Sequence, residues 1–411
     1  MAAGNLEELR RTLTTEPLVY LRSDGEYRPG LADDWSISDD GLTVTLTLAS
    51  GAVFHDGVPL SAEIVKTLLD SARADERQLQ NNPLLADIAS VDAVGDQVVH
   101  LHYKEETYLR LDGLSLRVER EVDGTPVGTG PFVLREQTRD AMTLVASGAY
   151  RRGKPAIDVV RVMTYPTVRT AWVAMMRQEV DFLVEVPNRA QDFVAAASDV
   201  DVFLVNRPYA TVIGFNIDRE PFADNRVRRA LNYAVDRRAV IDRVLGGNGR
   251  PTSGIDAEHW AFRESERNYS FDPQLADGLL TDAGFVRTAT PSSAAGETGV
   301  PARLRFTCLV RENSALDQAM ALVVQQQLFD IGVDMQFETV DLESMLGRFD
   351  SRDYDAVLRP QNTSPSLSRL YSLWHSSQPY GLPGYTMVDD ALDALKSATT
   401  RDEVQQAARR F

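Results

Sequence analysis

A strand–helix–strand periodicity at two distant places in the chain is the feature that most limits the fold. Alternating apolar residues over 304–310 and 333–337 predict strands, and residues 315–329 between them have the apolar spacing of a helix. Earlier in the chain, strands over 157–165 and 180–186 are predicted around a helix over 167–178. Each succession is typical of a βαβ unit. The sequence therefore predicts an α/β protein with two well-separated βαβ units.

Local turn and capping signals add detail to this outline. Asp39-Asp40-Gly41 lies between two extended runs and predicts a β-hairpin, because Asp and Gly tolerate the positive φ of tight turns. Ser61 precedes an apolar stripe and predicts a helix N-cap. Asp236 and Gly246 are predicted to cap the start and the end of a later helix.

Size and charge exclude several classes of partner. A length of 411 residues favours two or three domains. The 43 basic and 60 acidic residues give a formal net charge of −17, which opposes binding to nucleic acid or to an anionic membrane. The first residues, Met1 to Asn5, lack the basic and apolar regions of a signal peptide. We therefore expect either that export information has been removed or that the protein stays inside the cell.

A lone cysteine limits the covalent and metal chemistry. Cys308 excludes an intramolecular disulfide framework and a cysteine-rich metal site. It shares a predicted strand face with Leu304, Phe306 and Val310. This pattern predicts a buried structural thiol rather than a reactive one.

The sequence motifs of common enzymes are missing. There is no G-x-S-x-G elbow, no phosphate-binding P-loop, no H-E-x-x-H zinc helix and no EF-hand loop. His100 and His102 could chelate a metal with a nearby glutamate, or could stand on a solvated strand face. A hydrolase would need a nucleophile and a base brought together from distant segments. The prediction is a protein without enzymatic activity, cofactor or metal site.

Ten blocks of sequence follow one another in a fixed order, at residues 30–35, 39–42, 54–63, 127–132, 179–182, 215–216, 221–222, 227–236, 331–334 and 353–356. Together they resemble the oligopeptide, dipeptide and nickel-binding receptors of ABC importers. The resemblance extends from about Glu16 to Phe411, although Gln178 stands where relatives usually carry glycine.

The resemblance implies a two-lobed, periplasmic-binding-protein-like α/β fold of type II, with an extra subdomain in the first lobe. On this basis residues 1–37 and 151–213 are expected to form the first lobe, 38–150 the extra subdomain and 214–411 the second lobe. The C-terminal return of the chain to the first lobe is expected to be missing. The strand that contains Ile213, Phe215 and Asn216 is the candidate hinge.

The resemblance also implies a function. The chain is expected to capture a peptide-like or other small ligand between its lobes by hinge closure, as a monomer whose closed form is recognised by the membrane subunits of an importer. Its location would then be the periplasm or the cell surface. The alternative is a cytoplasmic ligand-sensing module of a regulator that uses the same fold.

The resemblance places the ligand-binding residues near the end of the chain. Peptide-binding relatives carry an aspartate where this chain has Gln361, and a neutral glutamine cannot neutralise a buried ammonium. Asn362 lies beside it. Arg359 could bind an anionic ligand through a bidentate bond, or could be a solvated or structural arginine. Aromatic walls are expected from Trp260, Tyr371 and Trp374, although core packing would also explain each of them.

Overall fold

The structure, a computed structural model, describes residues 3–184, 200–203, 205, 209–252, 255, 258–262, 269–287, 302–362, 365–378 and 386–411. The chain divides into two compact units. Unit 1 comprises Met1–Pro187, Glu258–Arg263 and Pro365–Phe411, and unit 2 comprises Asn188–Ala257 and Glu264–Ser364.

The strands of the described part are β1 Glu16–Pro17, β2 Val19–Leu21, β3 Tyr27–Pro29, β4 Ala32–Ile37, β5 Thr43–Leu48, β6 Ile88–Val94, β7 Val98–Tyr103, β8 Arg117–Val122, β9 Thr125–Gly128, β10 Phe132–Gln137, β11 Ala141–Ala146, β12 Val159–Met163, β13 Tyr209–Phe215, β14 Leu304–Arg311, β15 Val333–Val340 and β16 Ala356–Asn362. The α-helices are α1 Ala3–Thr14, α2 Ala62–Ala74, α3 Glu76–Asn81, α4 Val168–Met176, α5 Asn225–Tyr233, α6 Arg237–Leu245, α7 Pro273–Asp282, α8 Ala315–Asp330, α9 Leu342–Asp350, α10 Ser368–Trp374, α11 Asp389–Ser397 and α12 Arg401–Arg410. Two short 3₁₀ helices span Pro83–Asp87 and Asp112–Leu114.

Unit 1 is built on antiparallel pairing. Its largest sheet has the order β4-β5-β7-β6, and α2 packs against β6 and β7. Val44, Leu46 and Leu48 of β5 point into the core, as the period of a half-buried strand requires. The predicted hairpin between β4 and β5 is confirmed. Ser61 caps α2 as predicted, since its hydroxyl accepts a hydrogen bond from the Ile64 amide.

Hydrogen bonds between residues far apart in sequence connect the C-terminal helical segment to the rest of unit 1. The buried carboxylate of Asp112 accepts bonds from the Ser366 hydroxyl at 3.0 Å and from the Ser368 amide at 2.9 Å. The Thr107 hydroxyl donates to the carbonyl of Lys396 at 2.8 Å. The chain therefore returns to unit 1 after residue 364.

The structure divides the chain differently from the predicted lobes. Residues 258–263 and 365–411 belong to unit 1, although 214–411 was predicted to be a single lobe without a C-terminal return. The earlier division falls at 187/188 rather than at 213/214. Periodicity along the chain could not reveal this, because the assignment depends on contacts between distant segments such as Asp112 and Ser368.

Unit 2 contains a mixed sheet of order β13-β16-β14-β15. β14 is parallel to β15 and to β16, whereas β13 runs antiparallel to β16. The predicted succession β14, α8, β15 is confirmed as a βαβ unit. Cys308 is fully buried in β14, and burial raises the pKa of its thiol to about 12, which confirms the prediction of a structural thiol.

The earlier βαβ prediction is wrong. β12 is the third strand of the antiparallel sheet β10-β11-β12, so it does not begin a parallel crossover. Helix α4 follows as predicted, but residues 180–184 do not form a strand, and 185–186 lie outside the described residues. The apolar residues of β12 are used by the neighbouring hairpin instead, because Val160 and Val162 pack with Leu144.

Candidate functional site

Strand β16 carries three of the predicted ligand-binding residues and directs alternate side chains to opposite faces of the unit 2 sheet. Ala356 and Leu358 enter the main core of unit 2. Val357 joins a smaller cluster with Met345 of α9 on the other face. Because side chains alternate along a strand, Arg359 and Gln361 continue the face of Val357 toward the carboxyl end of β16. In α/β sheets, ligands bind beyond the carboxyl ends of the parallel strands.

Arg359 packs against an aromatic ring. Its guanidinium carbon lies 4.9 Å from the centre of the Phe349 ring, which is a cation–π contact. Its buried Nε has no hydrogen-bond partner among the described residues. Burial lowers the pKa of Arg359, and the nearby Tyr354 opposes this effect. An arginine keeps its charge under these conditions, so the guanidinium is a buried cation that can still donate hydrogen bonds.

Gln361 stands two residues further along the same face. The residue is only 5% exposed, and within the described part of the chain its Oε1 has no hydrogen-bond partner. A buried amide oxygen without a donor costs roughly 1–3 kcal/mol. Asn362 is the last residue of β16 and pairs with Tyr209, but its side chain lies outside the described residues.

Arg359 and Gln361 together offer unused hydrogen-bonding capacity on one strand face. Arg359 supplies N–H donors and positive charge, and Gln361 supplies a free acceptor. A bound group that carries both an anionic oxygen and an N–H or O–H would satisfy both. Buried polar atoms without partners are uncommon in folded proteins, and a ligand is one explanation for them.

Trp260 lies in unit 1 and is held there from several sides. Its indole N–H donates to the Gly25 carbonyl at 2.8 Å. The Arg401 guanidinium lies 4.4 Å from the ring centre, and Tyr108 meets the ring edge-on. These contacts assign Trp260 a packing role, and its predicted contact with ligand stays a prediction.

Tyr371 and Trp374 belong to α10 of unit 1 and are half-buried. The Tyr371 ring stacks on His375 at 4.3 Å between ring centres, and the Lys396 ammonium lies 5.4 Å from the Tyr371 ring centre. The predicted aromatic walls are therefore in unit 1, whereas Arg359 and Gln361 are in unit 2. Their roles as ligand contacts stay predictions.

The predicted hinge residues lie inside unit 2. Ile213 and Phe215 belong to β13, and the Phe215 ring stacks on Phe222 at 4.8 Å between centres. Asn216 is buried, and its amide donates to the carbonyls of Arg352 and Tyr354 at 3.0 Å each. Asn216 thus ties the end of β13 to the start of β16. The hinge assignment stays a prediction.

Sequence reasoning missed a buried acidic group in unit 1. Glu16 is 1% exposed, and the hydroxyls of Thr129 and Tyr150 lie near its carboxyl group, although neither carboxyl oxygen makes a hydrogen bond of good geometry to a described residue. The nearest cations are Arg151 at 3.5 Å and Arg152 at 3.9 Å. Burial raises the pKa of Glu16, and the two arginines oppose this. Only burial distinguishes Glu16 from an ordinary surface glutamate, so the sequence carries no signal for it.

Of the two histidines that could have bound a metal, His102 makes polar contacts within its own sheet. His102 Nδ1 lies 3.2 Å from the Thr43 hydroxyl, and His102 Nε2 lies 3.1 Å from Asp92. Within the described ranges, no group of three or more His, Cys, Asp or Glu side chains is arranged to hold a metal ion.

Most of the chain matches a known protein family. The family model for bacterial extracellular solute-binding proteins, family 5 (Middle), matches residues 26–381. The chain belongs to this family. Family 5 is a family of binding proteins, whose name places them outside the cytoplasm. Among the helices that the structure describes, none is long and apolar enough to cross a membrane.

Individual family 5 relatives are distant. The glutathione-binding protein GsiB of Salmonella typhimurium is 26% identical over 338 residues, which cover 79% of this chain and 63% of that protein. The chain thus spans less than two thirds of the length of this curated relative.

Solved structures support the fold. NikA from Brucella suis, solved with Fe(III)-EDTA, has a TM-score of 0.84 at 24% identity, covering 97% of this chain and 84% of its own. NikZ from Campylobacter jejuni, solved with Ni(L-His), has a TM-score of 0.81 at 21% identity, with coverage of 97% and 84%. These similarities confirm the predicted two-lobed α/β fold of the family.

Proposed function

We propose that this family 5 chain is the solute-binding receptor of an ABC importer, acting outside the cytoplasmic membrane. It would bind a peptide-like or other small ligand without chemical change, as a monomer. Capture would follow the hinge closure that the resemblance implies, and the importer's membrane subunits would recognise the closed form.

The observation that carries the proposal is the pair of unused polar groups on β16. Arg359 Nε and Gln361 Oε1 are both buried, and neither makes a hydrogen bond to a residue that the structure describes. If these residues served only the fold, each buried polar atom without a hydrogen bond would lower the stability of the protein with no compensating interaction. In a receptor the same groups gain their partners when a ligand binds, because proteins retain such costs at functional sites.

The chemistry of the pair narrows the ligand. An arginine beside a neutral amide suits a carboxylate or another oxyanion, and it offers no compensation for a free ammonium. The names and titles of the relatives cover a broad range of ligands: GsiB is named for glutathione, and NikA and NikZ were solved with metal chelates. We therefore propose a small ligand with at least one anionic group, which Arg359 binds and Gln361 orients.

Calorimetric titration against a panel of peptides, glutathione, opines, sugars and metal chelates tests the proposal. We expect one class to bind, and Arg359→Gln to weaken that binding at least tenfold, as the loss of a charge-assisted hydrogen bond requires. Arg243→Gln is the matched control, since Arg243 is an arginine of unit 2 on α6 that contacts Gln326.

Small-angle scattering on the same samples tests closure. A ligand that binds should reduce the radius of gyration, and the reduction should be lost in Arg359→Gln at the same ligand concentration. Binding that is equal in Arg359→Gln and in the wild type would remove the basis for placing the ligand on β16.

A further inference from the structure

Unit 1 contains a cavity of about 260 Å³, and all of its lining residues belong to that unit. Helices α1 and α2, strand β8 and the start of α3 surround it. Its floor is apolar, since Leu18, Val65 and Leu69 are almost fully buried and line it. The volume lies just below the lower end of about 300 Å³ for small-molecule pockets, so it suits a compact ligand.

Two arginines, Arg11 and Arg117, line this cavity. Arg11 Nε is buried and makes no hydrogen bond to a described residue. Among the described residues, Arg117 donates to the carbonyls of Arg11 and Thr15, at 3.5 and 3.3 Å. Neither guanidinium forms an ion pair with a described carboxylate, although Glu7 attracts Arg11 and Glu8 attracts Arg117 at longer range.

The acidic side chains in the lining are already engaged. Asp75 caps α3 by accepting the amides of Arg77 and Gln78, at 2.8 and 3.2 Å. Glu119 accepts a hydrogen bond from Arg10 at 2.7 Å. The carboxylates of the described lining therefore form no ion pair with Arg11 or Arg117, and only Glu7 and Glu8 of α1 attract these arginines, at longer range.

Neighbouring guanidiniums repel each other, and an apolar floor beside them screens that repulsion poorly. Burial lowers the pKa of Arg117, Glu8 and Tyr20 oppose this effect, and the nearby charge of Arg11 adds to it. An anion between the two groups would remove the repulsion and give Arg11 Nε a hydrogen-bond acceptor. An apolar body attached to that anion would cover Leu18, Val65 and Leu69 and exclude water from the floor.

We propose that this cavity is a second binding site, for a small organic anion with a carboxylate on a compact apolar body. Arg11 and Arg117 bind the carboxylate, and the leucine and valine side chains hold the apolar body. The site lies wholly in unit 1 and does not depend on the function proposed for Arg359.

Benzoate and its uncharged analogue benzamide are suitable probes, and ligand-observed NMR titration of the whole chain measures both. Benzoate should bind saturably, with an affinity at least tenfold higher than that of benzamide. Arg11→Gln should lower the affinity for benzoate at least tenfold, and Arg11→Lys should retain part of that affinity. Arg169→Gln, a change at an exposed arginine of α4, and Arg359→Gln should leave it unchanged.

Ser71→Trp provides an independent test, because Ser71 is an exposed lining residue whose replacement fills the mouth without altering charge. It should abolish benzoate binding. The proposal is overturned if benzoate does not bind saturably, if benzamide binds equally well, or if binding survives both Arg11→Gln and Ser71→Trp. Loss of benzoate binding in Arg359→Gln alone would place the anion at the β16 site instead.

Discussion

Removing the Asp112 carboxylate should loosen the C-terminal helices from unit 1. Asp112 is 3% exposed and accepts hydrogen bonds from the Tyr27 hydroxyl at 2.5 Å, from Ser366 and from the Ser368 amide. In Asp112→Ala these donors lose their acceptor, although Ser366 can still bond to the Ser368 hydroxyl. Two buried donors then remain, at roughly 1–3 kcal/mol each.

Asp112→Ala also removes a buried charge, and this offsets part of the loss of stability. Burial raises the pKa of Asp112, and its three donors oppose the rise only in part. We therefore expect Asp112→Ala to lower the free energy of unfolding of unit 1 by about 2–4 kcal/mol at pH 7. Asp112→Asn keeps one acceptor oxygen and should lose about half as much.

The sign of the pH dependence follows from the raised pKa. Between the ordinary carboxyl value near 3.8 and the folded-state value, the folded protein holds a proton that the unfolded chain has released. Stability from Asp112 is therefore fully present below the unfolded pKa and falls as pH rises through the folded pKa. The difference between wild type and Asp112→Asn should be larger near pH 4 than at pH 7.

Urea unfolding followed by tryptophan fluorescence is the appropriate assay. Trp35, Trp172, Trp260 and Trp374 are the four tryptophans of the chain and all lie in unit 1, so their emission reports on that unit alone. Asp96→Ala, at an exposed turn of the same unit, should stay within about 0.5 kcal/mol of wild type. An Asp112→Ala protein as stable as this control would refute the argument.

Further expectations test other parts of the structure. Gly25→Ala should lower the free energy of unfolding by about 1–3 kcal/mol more than Gly124→Ala does. Both glycines have positive φ, but of the two only Gly25 would bring the new methyl group against a side chain, that of His259. Equal unfolding midpoints for the two variants would contradict this. Cys308 should react with a thiol reagent only after unit 2 unfolds, because it is buried and its thiol has a raised pKa; rapid labelling of the native protein would contradict its burial. Glu16→Gln should leave unit 1 as stable or more stable at pH 7, with a smaller loss of stability between pH 5 and 7, because the raised pKa reflects a buried charge; a large loss in urea unfolding would assign Glu16 a structural role.

Local features of this fold were predictable from sequence because neighbouring residues determine them. Ser61 and Asp236 cap their helices through their own side chains, and Gly246 ends α6 in the left-handed conformation that glycine favours. Cys308 lies in a strand whose alternation is visible in the sequence. These signals are short-range, and the structure confirms each of them.

Long-range features were not predictable in the same way. The assignment of α10 to unit 1 depends on Asp112 and Ser368, which are 256 residues apart. β12 joins an antiparallel sheet because Val160 and Val162 meet Leu144, and periodicity does not reveal that partner. Of the site residues, Arg359 and Gln361 were found through the family resemblance, whereas Glu16 is distinguished by burial alone.

Native mass spectrometry of the protein purified from its own host tests the central claim most directly. If the chain is a solute receptor, wild-type protein should retain a small molecule with an anionic group. Arg359→Gln prepared in the same way should lose it, while Arg243→Gln keeps it. A wild-type protein without any bound mass that also fails to bind every member of the ligand panel would contradict the account, and so would a ligand retained equally by Arg359→Gln.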